Sequence, residues 1–126
     1  GSPLGIWDSL GLLVFGIGFF FEAGGDYQLT RFTADPANRG KILTTGLWAL
    51  SRHPNYFGEM LVWTGIALYA LTLPFGWLTP ISPVILTLLL RYLSGVPLLE
   101  KRMEGRPGWS EYKVGTAPVI PFVRFF

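Results

Sequence analysis

The feature that most constrains this chain is a run without charged residues that extends from Met60 through Leu90. A second uncharged run covers residues 9–21. About 20 predominantly apolar residues are needed for a helix to cross the hydrocarbon core of a bilayer, so both runs indicate membrane-spanning helices. Charged residues make up only 14% of the chain, against about 25% in soluble domains. The sequence therefore predicts an all-α integral membrane protein.

Turn-forming residues divide the chain into about three transmembrane helices. We predict spans over about residues 4–21, 54–73 and 83–103, the first with a polar helical extension to about residue 32. Arg91 interrupts the third span, and Pro97 is expected to kink it. Short interfacial helices are expected near residues 47–50, where Trp48 suits the headgroup layer, and near residues 107–113. We treat residues 1–126 as a single membrane domain.

Basic residues gather on one side of these predicted spans. Four lie between residues 31 and 52, and five lie in the tail between residues 101 and 124. With three spans, both segments fall on the same side of the membrane. The positive-inside rule assigns that side to the cytoplasm.

The composition excludes several kinds of site. The chain has no cysteine and one histidine, which excludes disulfides and thiolate ligands and leaves too few ligands for a usual zinc site. We therefore expect no metal. A net charge of +2 is too small to indicate a nucleic-acid partner, so membrane lipid and a small apolar substrate are the expected partners. No Gly-x-Gly-x-x-Gly motif follows a strand, which excludes a Rossmann domain.

The densest group of polar side chains is the segment Arg52-His53-Pro54-Asn55-Tyr56-Phe57-Gly58-Glu59, at the start of the second predicted span. Asn55 and Glu59 are four residues apart and therefore share one helix face. An ionisable group next to hydrocarbon is costly and indicates a function. The structural alternative is an interfacial pairing of Glu59 with Arg52.

The predicted topology places further polar side chains on this same side of the membrane. Arg and Lys suit a phosphate-bearing ligand, and Asn and Tyr supply neutral donors and acceptors for a nicotinamide or a ribose. Contact with anionic lipid is the alternative for the basic residues. The candidate cofactor-binding residues are Asp26, Arg39, Lys41, Arg52, His53, Asn55, Tyr56, Glu59, Arg102 and Tyr112.

The segment from Arg52 to Glu59 resembles the signature shared by membrane steroid 5-alpha-reductases, sterol reductases and isoprenylcysteine carboxyl methyltransferases. The tail, with Trp109-Ser110-Glu111-Tyr112-Lys113 and Ile120-Pro121-Phe122, resembles the C-terminal end of the same superfamily. Gly25-Asp26-Tyr27-Gln28-Leu29 resembles the segment before the cofactor loop of the 5-alpha-reductases. The chain is most similar to the bacterial 5-alpha-reductase-like group (DUF1295 type).

This resemblance implies an NADPH pocket lined by Asp26, Asn55, Arg102 and Tyr112, with Glu59 matching the reductase form of the motif. The arginine-rich stretch of the animal reductases is replaced here by Thr30-Arg31-Phe32-Thr33, so phosphate contacts are expected from Arg39 and Lys41. The catalytic Glu and Tyr of the family belong to N-terminal helices that this chain lacks. We therefore expect the C-terminal, cofactor-binding half of a longer protein of the bacterial inner membrane.

Three functional hypotheses follow from these observations. The first is an NADPH-dependent membrane reductase that acts on a carbon–carbon double bond of an apolar enone. The second is a methyltransferase that uses S-adenosylmethionine, which the Arg52-His53-Pro54 start of the motif favours. The third is a non-catalytic membrane scaffold or fragment.

Overall fold

The computed structural model describes residues 5–71 and 73–123, and it is helical with no strand in those residues. The helices are α1 (Ile6–Ala34), α2 (Pro54–Ala70), α3 (Ile81–Leu88), α4 (Val96–Met103) and α5 (Trp109–Gly115). A π-helical turn, Leu89–Leu93, follows α3, and single 3₁₀ turns lie at Pro36–Asn38, Gly46–Ala49 and Gly76–Leu78. The predicted all-α class is confirmed. Leu4, where the first predicted span begins, and Arg124, the last basic residue of the tail, lie outside the described residues.

α1 and α2 pack antiparallel with their backbones in direct contact. Gly11 and Gly18 of α1 lie against Gly65 and Gly58 of α2, respectively. A Cβ atom at Gly18 would lie 2.6 Å from the amide nitrogen of Val62, which is closer than real side chains approach. Small residues of this kind let helices associate closely in membranes.

Two stretches, Ile6–Ala34 and Gly76–Met103, are long and apolar enough to cross a membrane. Only 11% and 17% of their most apolar windows are buried, so the rest of the described chain leaves most of their apolar surface uncovered. α2 has 17 residues, which corresponds to about 25 Å against about 30 Å of hydrocarbon. Two candidate spans are therefore established, and the third stays a prediction.

The third predicted span is not one continuous helix. α3 ends at Leu88, and α4 begins only at Val96, after the π-helical turn and Gly95. A Cβ atom at Gly95 would lie 2.9 Å from Cε2 of Tyr56, so the segment between α3 and α4 packs closely against α2. Pro97 lies in the first turn of α4, where a missing N–H costs nothing. The expectation that Pro97 kinks a helix was wrong, because it begins one.

A small buried core joins α2, the start of α4 and the C-terminal tail. Its centre is Met60, Val96 and Val119, with Tyr56, Phe57 and Leu90 packed around it. The predicted interfacial helices correspond to the 3₁₀ turn that contains Trp48 and to α5. The tail thus returns to the beginning of α2, where the polar motif lies.

The contact between α1 and α2 predicts the effect of enlarging one glycine. Gly58→Ala would drive a Cβ atom into the α1 backbone at Gly18 and Glu22. Overpacking typically costs about 1–3 kcal/mol, so we expect a lower thermal unfolding midpoint of the purified protein in detergent. Gly16→Ala is the control, because a Cβ atom there meets nothing within 4 Å. Equal midpoints for the two variants would contradict the close packing.

Candidate functional site

The loop that begins the motif is buried under the C-terminal tail. The Ser51 hydroxyl donates a hydrogen bond to the carbonyl oxygen of Val119 at 2.6 Å, and the His53 amide donates to the Ser51 hydroxyl at 3.0 Å. The Arg52 amide donates to the carbonyl oxygen of Ala117 at 2.8 Å. Val119 itself is completely buried. The tail therefore fixes the backbone that carries Arg52 and His53.

Tyr112 and Trp48 connect this loop to α5 and α1. The Tyr112 hydroxyl donates to the Trp48 carbonyl oxygen at 2.5 Å and lies 3.2 Å from the Ser51 carbonyl oxygen. The Trp48 indole donates to the carbonyl oxygen of Gly25 at 3.1 Å. Burial raises the pKa of Tyr112 above its ordinary value, which keeps the hydroxyl protonated as a donor. Its hydroxyl thus contacts the protein backbone, and its predicted cofactor contact stays a prediction.

Arg52 and Glu100, together with the neutral His53, form a largely buried charged cluster. The Arg52 Nη1 atom lies 3.2 Å from Oε2 of Glu100, and the His53 Nε2 atom lies 3.7 Å from the same oxygen. The guanidinium also lies 5.9 Å from the ring centroid of Trp109. Burial lowers the pKa of Arg52 below its ordinary value, although Glu100 opposes that shift. The arginine stays charged, because the ordinary pKa of a guanidinium is so high.

Several buried side-chain nitrogens of this cluster have no hydrogen-bond partner in the described part of the chain. They are Nε and Nη1 of Arg52 and both ring nitrogens of His53. A cavity of about 490 Å³ opens beside Arg52 and Glu100. Buried polar atoms are normally hydrogen-bonded, and of these two residues Arg52 is the one that borders the cavity, where its charge suits an anionic ligand.

His53 lies against Tyr56 of the next helical turn. Their ring centroids are 5.4 Å apart, with an interplanar angle of 14°, so the two rings are stacked. Burial is the main cause that lowers the pKa of His53, and the nearby Glu100 opposes it in part. The imidazole is therefore neutral at physiological pH.

Asp26 and Asn55 form the second polar cluster, at the junction of α1 and α2. The Asn55 side-chain amide donates to Oδ1 of Asp26 at 3.0 Å, and the Asn55 Oδ1 accepts from the Tyr56 amide at 3.0 Å. Glu22 and Glu59 lie close enough to repel each other electrostatically. The close contact at Gly25, where a Cβ atom would lie 3.2 Å from the Asn55 nitrogen, brings this pair together.

The structure brings some of the predicted site residues together and leaves others apart. Arg52 and His53 share one cluster with Glu100, whereas Asp26 and Asn55 share another. Arg39, Lys41 and Arg102 are exposed. The Lys41 carbonyl oxygen accepts a long hydrogen bond from Arg106 Nη1 at 3.4 Å. Whether any of these residues binds a cofactor stays a prediction.

The sequence did not identify the residues that hold the motif in place: Trp48, Ser51, Glu100 and Val119. Their contacts join positions 23 to 68 residues apart in the chain. Glu100 is the one that a sequence signal could have found, because a buried arginine needs a counter-charge. No local pattern marks Ser51 or Val119.

The burial of His53 predicts a pH dependence of stability. Above the ordinary pKa of about 6.5, neither the folded nor the unfolded chain is protonated at this residue. Below it, the unfolded chain binds a proton that the folded chain does not, because the folded pKa is lowered. Stability is therefore lost as pH falls below about 6.5, by up to about 1.4 kcal/mol per pH unit.

Thermal unfolding in detergent between about pH 7.5 and about pH 5.5, above the range in which carboxylates titrate, measures this loss. The comparison with His53→Gln isolates the effect, because His53 is the only histidine. We expect the midpoint of the wild-type chain to fall more steeply with acidification than that of the variant. Parallel curves would show that the imidazole is not held neutral.

Three curated proteins are similar to parts of the chain. A Delta(14)-sterol reductase of Gibberella zeae is 33% identical over 73 residues, which are 48% of this chain and 15% of that protein. A Delta(14)-sterol reductase of Schizosaccharomyces pombe is 34% identical over 78 residues, 52% of this chain and 17% of that protein. A "Probable O-methyltransferase" of Ustilaginoidea virens is 36% identical over 58 residues, 46% of this chain and 20% of that protein.

The chain thus covers a fifth or less of the length of these relatives. No solved structure matches the chain with significance. The profile of the family DUF1295, described as a protein of unknown function, matches residues 1–116. This match confirms the resemblance that the motifs indicated: the chain belongs to the DUF1295 family.

Proposed function

We propose that this chain binds NADPH within an integral membrane reductase, which reduces a carbon–carbon double bond of an apolar enone such as a steroid or another lipid. Family membership and the two sterol reductase relatives support the reaction class. The observation that carries the proposal is the position of Arg52. Its side chain is 8% exposed, has donor atoms without a hydrogen-bond partner in the described ranges and borders a cavity. A buried cation placed in this way is suited to an anionic ligand.

The neighbouring side chains fit the neutral parts of a dinucleotide. Asp26 and Asn55 offer a carboxylate and an amide, which suit ribose hydroxyls or a carboxamide. Tyr56 lies between this pair and the charged cluster, because its amide bonds to Asn55 and its ring stacks on His53. When bound, NADPH supplies a hydride to the substrate. The residues of this chain bind and orient it, and no catalytic residue is assigned among them.

S-adenosylmethionine is the alternative cofactor. The relative named as an O-methyltransferase supports it, as does the chemistry of the cavity. Glu100 and Glu104 both border that cavity, and carboxylates suit the cationic sulfonium and amino groups of S-adenosylmethionine. The reductase is preferred because two of the three relatives are sterol reductases and because the cations of the cavity outnumber its carboxylates.

Cofactor titration of the purified chain in detergent tests the proposal and separates the two cofactors. We expect NADPH to bind and S-adenosylmethionine not to bind. Asn55→Ala should weaken NADPH binding about five- to tenfold, since it removes one hydrogen bond, and Glu59→Gln should weaken it if the carboxylate faces the cofactor. Thr33→Ala is the control, because the Thr33 hydroxyl bonds only to carbonyls of its own helix. Binding of S-adenosylmethionine alone would replace the reductase with the methyltransferase.

The orientation in the membrane belongs to the same proposal. We place the chain in the bacterial inner membrane with the 31–52 loop and the C-terminal tail in the cytoplasm, as the positive-inside rule predicts. A cofactor pocket near Arg52 would then open to the soluble NADPH pool. The turn around Gly76–Leu78 would face the opposite side.

Single introduced cysteines test this orientation, because the chain has none of its own. Ala37→Cys and Trp77→Cys both replace exposed residues at turns between the helices. We expect a membrane-impermeant maleimide to label Trp77→Cys in intact cells and Ala37→Cys only after the membrane is permeabilised. The reverse pattern would invert the topology.

A further inference from the structure

The cavity beside Arg52 has an excess of positive charge. It measures about 490 Å³, and its charged lining residues are Arg52, Arg91, Lys101, Lys113, Glu100 and Glu104. Four cations therefore face two carboxylates across one opening. Like charges gathered around a cavity repel each other unless an anion lies between them. This surplus is the first indication of an anionic ligand.

Arg52 is the least solvated of these cations. Its backbone is fixed by the bond to Ala117, and its guanidinium lies over the ring of Trp109. The ion pair with Glu100 uses Nη1 at 3.2 Å, and both Nη1 and Nε are shielded from solvent. A guanidinium presents its donors as a rigid planar fork that suits carboxylate and phosphate oxygens. An anion in the cavity would therefore compete with Glu100 for Arg52.

Arg91 lines the same cavity, at a point where the helix is irregular. It lies in the π-helical turn Leu89–Leu93, which separates α3 from α4. Such turns are rare and frequently occur at functional sites. Arg91 acts electrostatically on Arg52, since its charge contributes to lowering the pKa of that residue. The charge of Arg91 therefore adds to the positive potential around Arg52, which favours an anion in the cavity.

We propose that this cavity is a phosphate-binding site in which Arg52, Arg91 and Lys113 hold the anion, while Glu100 is the internal counter-ion that competes with it. The inference deepens the proposed function, because NADPH carries phosphate groups. The site is nevertheless defined by phosphate chemistry, which the headgroup of an anionic phospholipid shares. Arg91 and Glu100 are thereby assigned to binding, in addition to the motif residues.

The roles assigned to the cations and to Glu100 predict opposite effects of mutation. Inorganic pyrophosphate is the probe, and its binding to the purified full chain in detergent is measured by calorimetry. Arg91→Gln and Lys113→Gln should weaken binding about tenfold, because each removes a charged contact to the anion. Glu100→Gln should tighten it about tenfold, because the competing carboxylate is lost. Lys113 is exposed, so its replacement leaves the fold intact.

Two controls accompany these variants. Glu104→Gln removes a carboxylate that borders the cavity but is exposed, so we expect a smaller gain in affinity than for Glu100→Gln. Glu111→Gln changes an exposed residue outside the cavity, and its affinity should equal that of the wild type. Glu100→Gln leaves Arg52 buried without its partner. Its unfolding midpoint should therefore fall without pyrophosphate and rise more than that of the wild type when pyrophosphate is added.

The site is refuted if pyrophosphate does not bind the wild-type chain, or if Glu100→Gln binds it no more tightly than Glu111→Gln does. Competition experiments then identify the source of the phosphate. Displacement of pyrophosphate by NADPH supports the site and the proposed function together. Displacement by phosphatidylglycerol in mixed micelles, but not by NADPH, supports the site as a lipid headgroup site and removes the proposed function.

Discussion

The close backbone contact between α1 and α2 is the constraint on which the rest of this structure depends. Glycines at facing positions, such as Gly18 and Gly58, let the helices approach without intervening side chains. In a lipid environment apolar side chains gain nothing by leaving the solvent, so close packing must supply much of the attraction between helices. At the polar end of the same contact, Gly25 lies against Asn55. That approach brings Asp26 within hydrogen-bond distance of the motif.

The C-terminal tail holds the loop before α2 in place. Its carbonyl oxygens at Ala117 and Val119 accept hydrogen bonds from the loop before α2, and Tyr112 bonds to the carbonyl oxygen of Trp48. Each of these bonds uses a backbone group that would otherwise be buried without a partner, which is costly. The tail therefore belongs to the site, because it sets the position of Arg52 beside the cavity. Residues at both ends of the chain act on the same few side chains.

The buried ion pair of Arg52 and Glu100 is the feature of this site that the proposed function depends on. Replacing an ion pair by apolar residues is often neutral or stabilising, whereas a single unpaired charge is strongly destabilising. Arg52 and Glu100 nevertheless form such a pair in a chain with few charged residues. Their position at the edge of a cavity with further cations is the observation on which the proposed ligand binding rests.

The sequence by itself determined the helical class, the family and some of the polar residues of the site. The uncharged runs specified helices, because alternation of polarity is absent and apolar length is sufficient, and the motif from Arg52 to Glu59 specified the family. The sequence also marked Asn55 and Asp26 as polar residues at one membrane boundary. Only the tertiary structure decided that Glu100 pairs with Arg52, that Val119 covers the motif and that Pro97 begins a helix. Those outcomes depend on contacts between segments tens of residues apart, and a pattern within one segment carries no information about which distant group will meet it.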